Sequence, residues 1–134
     1  MSELFANNIP KDLPQAVNKL ELIRENDGRW KTKDRLGGKF TAKGLHIFVV
    51  QQGRLVLSPR KSLTGGRPVS HVDLAHGKEV EFAGEIVFGQ GNRKGILEYW
   101  NDKTGHYHDG NRSMNPDVVR ILPPDRFVRY EDER

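Results

Sequence analysis

Four of the five histidines, His71, His76, His106 and His108, fall in or beside one stretch of the chain, Ser70 to Tyr107. An imidazole with an ordinary pKa of about 6.5 keeps both protonation states within reach at neutral pH, so two of them can take and return a proton within one reaction. Cleavage of RNA without a metal has that requirement. One group removes the proton of a 2′-hydroxyl, another protonates the leaving oxygen, and a cation or hydroxyl steadies the phosphorane. His71 and His106 are the expected proton carriers, with Glu85 and Tyr107 assisting. Lys31, Lys33, Arg35, Lys39 and Lys103 are the expected phosphate-holding cations.

The elements around these residues follow from hydrophobic period and turn chemistry. Leu13, Val17, Leu20, Leu22 and Ile23 recur at near-helical spacing, which predicts a helix over residues 12–26 that stops at Asp27-Gly28. Residues 29–44 read as a long polar connection with Trp30, Leu36 and Phe40 as anchors. Its Gly37-Gly38-Lys39 piece lacks the spacing of a nucleotide-binding P-loop. Leu45–Val50 and Arg54–Ser58 flank Gln51-Gln52-Gly53, a hairpin signal with His46, Phe48 and Val50 on one face and Leu45, Ile47 and Val49 on the other.

Ser70 is placed to cap a short turn through Ala75, and Gly77 releases the chain into a strand over Val80–Phe88. Gly84 within that strand marks a close approach by another backbone or a ligand. A partner strand, Ile96–Trp100, brings Asn101 to His106 back toward the start of its neighbour. Antiparallel pairing then sets His71 and His106 at one rim of a sheet. The expected fold is α+β, an N-terminal helix packed on a small twisted antiparallel sheet. Residues 1–10 form a flexible tail and residues 11–134 a single domain.

Composition narrows the function classes. The chain has no cysteine, which removes disulfides and thiolate metal sites. No run approaches the roughly 18 apolar residues of a membrane span. The net charge of +4 is uneven, because residues 24–67 carry eleven Lys or Arg against three acids. Such a basic half suits a phosphate backbone or an acidic protein partner.

Three other chemistries fit parts of the pattern. His46, Ser70 and Glu85 suit an ADP-ribosyltransferase or another NAD-consuming enzyme, with NAD as the cofactor in that case alone. A non-enzymatic module would use only the basic half, to bind nucleic acid or protein. His106, His108, Asp109 and His71 offer metal ligands, but the run matches no standard metal motif, and the leading reading has neither metal nor cofactor.

One stretch resembles a known module. The strand Leu45–Val50 with Gly53, Ser70-His71 with Leu74, Gly77 and Val80, Ala83-Gly84-Glu85-Ile86, and Asn101 with Lys103-Thr104-Gly105-His106-Tyr107 are similar to the C-terminal toxin modules of bacterial polymorphic toxins of the contact-dependent inhibition and rearrangement-hotspot types. The resemblance spans roughly Leu45 to Tyr107. It implies an effector exported by a larger carrier polypeptide or secretion apparatus, acting in the target-cell cytoplasm and neutralised by a cognate immunity protein. Ribonuclease action on RNA is then one of several activities such tips host.

Overall fold

The computed structural model describes residues 15, 17–61, 67–103 and 116–129. The described residues form seven strands: β1 (Leu20–Arg24), β2 (Trp30–Lys33), β3 (Lys39–Thr41), β4 (Gly44–Gln51), β5 (Arg54–Ser58), β6 (Phe82–Phe88) and β7 (Leu97–Trp100). Two short helices accompany them, α1 (His71–Ala75) and α2 (Pro116–Ile121). The strands form one sheet in the order β3-β2-β1-β5-β4-β6-β7, each antiparallel to its neighbours. The expected α+β fold is therefore corrected to a mostly β one.

The predicted N-terminal helix is absent from the described residues. Where it was expected over 20–24, Leu20 pairs with Leu57 and Leu22 with Thr32. Leu20 and Leu22 are two residues apart as well as fitting a helical stripe. The turn at Asp27-Gly28, with Gly28 at φ +84°, folds the chain back into a β2 that can satisfy the β1 backbone. The long connection over 29–44 is corrected as well, since it contains β2 and β3. Trp30 and Thr32 are buried while Lys31 and Lys33 are half-buried, a period of two. Asp34 closes the β2–β3 turn by accepting the Leu36 and Gly38 amides at 2.9 and 2.8 Å.

The β4–β5 hairpin forms as expected, with Gln51 opposite Arg54. β4 is also paired along its length with β6, from Gly44↔Phe88 to Val50↔Phe82. That central position explains its burial on both faces. Residues that alternate along β4 and β6 feed two separate cores. One contains Leu20, Trp30, Phe48, Phe82, Ile86, Leu97 and Trp100, and is closed by Val118 and Leu122 from and just after α2. The other packs Ile47, Val49 and Ala83 against Val69, Leu74 and Ala75 from and around α1.

The first core is enclosed because the sheet curls until its two ends meet. The Trp30 amide donates to the Gly95 carbonyl at 2.7 Å, and the Gly95 amide donates to the Ala42 carbonyl at 2.7 Å. Gly95 has φ +80°, and a Cβ there would lie 3.0 Å from Arg29 Cβ and 3.2 Å from the Trp30 carbonyl oxygen. Inside, Phe48 stacks on Phe82 at 5.8 Å and Trp100 meets both rings edge-on. Burial of each such ring contributes about 1.5–3 kcal/mol. Trp100 is oriented by its indole N–H, which donates to the Pro123 carbonyl at 2.8 Å.

Candidate functional site

Gly84 and Glu85 of β6 form the floor of the site, and the chain leaving β7 forms its wall. A Cβ on Gly84 would collide with the Asn101 carbonyl oxygen and stand 3.2 Å from Phe48 Cε1. The missing side chain is thus what lets the Asn101 backbone cross the strand. Once there, Asn101 is bonded to Glu85 three times. Its amide donates to the Glu85 carbonyl at 2.9 Å, its Oδ1 accepts the Glu85 amide at 2.9 Å, and its Nδ2 donates to Glu85 Oε1 at 3.1 Å. Asn101 is fully buried, so these bonds satisfy groups that water does not reach. The same Oδ1 also accepts the Lys103 amide at 3.0 Å, and Lys103 Nζ lies 3.9 Å from Glu85 Oε2.

His71, the first residue of α1, reaches this floor from the helix. Its Nε2 is 2.8 Å from the Gly84 carbonyl oxygen. A carbonyl only accepts, so Nε2 carries the proton. His71, Glu85 and Lys103 therefore converge within two adjacent residues of β6.

A second polar cluster holds the start of α1 in place. Ser70 is its N-cap, and the Ser70 amide donates to Asp73 Oδ2 at 2.8 Å. Arg67 grips the Asp73 carboxylate with both nitrogens, at 2.8 and 2.7 Å, and the Gln15 amide donates to Oδ1 at 2.8 Å. Burial pushes the Asp73 pKa up, but the Arg67 guanidinium and the amides of Gln15 and Ser70 outweigh it, and the pKa falls to about 2. Asp73 stays ionised, and it anchors the helix.

The remaining expected residues are spread over the molecule. His106 and Tyr107, like the alternative metal ligands His108 and Asp109, lie outside the described residues. Lys31, Lys33 and Lys39 share the outer face of β2 and β3, with Arg35 in the turn between them. Four inter-strand steps separate β2 from β6, about 19 Å along the sheet. These cations and Glu85 are not brought together.

His46, offered for NAD chemistry, pairs with Ile86 and turns to the aromatic core, edge-on to Phe88 at 6.0 Å, whereas Glu85 pairs with Ile47 and faces the other side. Burial lowers the His46 pKa against an opposing effect of the Gly44 backbone. Asn101 and Arg67 were missed as parts of the site. The serine and aspartate three residues apart at Ser70 and Asp73 are the capping signal that points to the second cluster. Gly84, already marked for a close backbone approach, is the signal that leads to Asn101.

Among the described residues no group of three His, Asp or Glu side chains is arranged to hold a metal ion, and no helix is long and apolar enough to cross a membrane. No family model, curated protein or solved structure matches this chain.

Proposed function

We propose that this chain is the toxic tip of a bacterial polymorphic toxin and that it cleaves RNA without a metal. The observation that supports this best is the convergence of His71, Glu85 and Lys103 on the Gly84–Glu85 segment. Lys103 stands three residues before His106 in the sequence.

In this reading His71, held by its bond to the Gly84 carbonyl, takes the proton of the 2′-hydroxyl. The 2′-oxygen attacks phosphorus, the bond from phosphorus to the 5′-oxygen breaks, and His106 protonates the departing oxygen. The product is a 2′,3′-cyclic phosphate. Proton return between the two rings completes the cycle without a cofactor. Glu85, tied down by Asn101, balances the imidazolium that forms, while the roles of steadying the charge on the phosphorane fall to Lys103 and Tyr107. A carrier polypeptide or secretion apparatus delivers the domain into the target-cell cytoplasm, and a cognate immunity protein protects the producer.

Incubation of the purified chain with total RNA, with and without chelator, tests the reaction. Discrete fragments that survive chelation are expected, and a folded His106→Ala variant should neither cleave nor kill. Intact RNA alongside consumed NAD would replace this chemistry with ADP-ribosyl transfer. Intact RNA and intact NAD would leave a binding module in its place.

A further inference from the structure

A groove of about 490 Å³ opens along β1 and β5, beside the end of β2 and the β4–β5 turn, and Lys19, Lys33, Arg35 and Arg54 line it with Glu21 and Asp34. The two acids are already engaged. Glu21 Oε1 accepts Arg54 Nη2 at 3.2 Å, and Asp34 Oδ1 takes the Leu36 and Gly38 amides. Among the described residues Lys19, Lys33 and Arg35 then form no close ion pair with a carboxylate.

Lys33 stands directly opposite Glu21 on β1 and directly opposite Lys39 on β3, so the like-charge pair on one side offsets the favourable pair on the other. Lys19 is half-buried, and its pKa is lowered by that burial and by the nearby Lys78. Cations held together without anions are stabilised when a bound anion completes the set.

The lining also separates the classes of partner. Among the described residues that line it, Val56 is the only apolar one. A protein interface needs a buried aromatic or aliphatic anchor, and base stacking needs an aromatic platform, so neither has purchase here. A ligand held by charge along its length does. Gln51, which lines the groove, lies four residues along β4 from Ile47, the partner of Glu85, a distance of about 13 Å. The groove is therefore separate from the chemistry.

We propose that this groove binds the phosphodiester backbone of single-stranded RNA, independent of base sequence, and holds the strand whose cleavage takes place at His71. The proposal rests on the RNA-cleaving reading above for the identity of the ligand. Lys19 and Arg54 join Lys33 and Arg35 in the groove, whereas Lys31 and Lys39 are not part of its lining.

The test is fluorescence anisotropy with a short, fully 2′-O-methylated oligoribonucleotide, which binds but lacks the attacking hydroxyl. Combined Lys19→Gln, Lys33→Gln and Arg35→Gln should weaken binding at least tenfold and flatten the dependence of log affinity on log salt by about 2. Arg35→Gln alone, in an exposed turn, carries the test with a smaller loss if the triple variant does not fold. Wild-type affinity in these folded variants, no binding by the wild type, or displacement by poly-glutamate as effective as by RNA would overturn the proposal. If total RNA stays intact while the triple variant still loses oligonucleotide binding, the groove stands and the cleavage reading falls.

Discussion

The Nε2 proton of His71 is donated to the carbonyl oxygen of Gly84 at 2.8 Å, which ties the first residue of α1 to the middle of β6. The bond commits one nitrogen of a ring that is only 5% exposed. A side chain that keeps this donor and loses the second nitrogen separates structure from chemistry. His71→Gln is expected to retain most of the wild-type stability and to lower RNA cleavage about 10²–10⁴-fold. Melting temperature and cleavage rate, measured on the same preparation, check both halves. Full activity in the folded variant would remove His71 from the reaction.

Gly84→Ala places a methyl group against the Asn101 carbonyl and the Phe48 ring. Either β6 or the Asn101 crossing must shift, which is expected to cost about 1–3 kcal/mol or more. Displacement of Asn101 also releases the Glu85 carboxylate. The expected result is a lower urea midpoint together with lost activity. An unchanged midpoint would mean that the crossing yields easily.

Asp73 has a folded pKa of about 2, below its ordinary value of 3.8. A depressed carboxyl pKa adds stability above the unfolded value, and that stability is lost as pH falls through the folded one. The loss should therefore run from about pH 4 to pH 2 and amount to about 2 kcal/mol. Removal of the guanidinium in Arg67→Met should reduce this contribution and weaken the protein already at neutral pH. Urea denaturation across that acid range measures it, and identical acid profiles would refute the assignment.

Glu81 has the opposite linkage. Burial raises its pKa, and the hydrogen bond and charge of Asp117 raise it further, against the Gly53 amide that donates to Glu81 Oε1 at 2.8 Å. A raised carboxyl pKa gives stability that is complete below the unfolded value and is lost as pH rises through the folded one. The contact between α2 and the start of β6 is thus expected to weaken from mildly acidic toward neutral pH. Glu81→Gln, which stays uncharged, should flatten that decline in melting temperature. An equally steep decline in the variant would assign it to another group.

Much of the central sheet was legible from local pattern. Leu45–Val50 and Arg54–Ser58 alternate around a Gly-containing turn, and each pairs as a hairpin must. The capping turn after Ser70 and the reversal between β6 and β7 were legible for the same reason, because neighbours in sequence set them. The missed elements had local patterns with two solutions. Leu20, Leu22 and Ile23 suit one face of a helix nearly as well as a strand, and only β2 and β5 on either side make the strand the better answer.

The site divides along the same line. Residue types alone pointed to His71, Glu85 and Lys103 as groups able to move protons and hold charge, and Gly84 alone pointed to a close backbone approach. That Asn101 is the residue making the approach, that the His71 ring is spent on a carbonyl at one nitrogen, and that Lys19 and Arg54 share a groove with Lys33 and Arg35 depend on residues far apart in sequence. Periodicity reports which face a side chain takes; which other chain segment meets that face is decided by the curl of the sheet and the packing on both its sides.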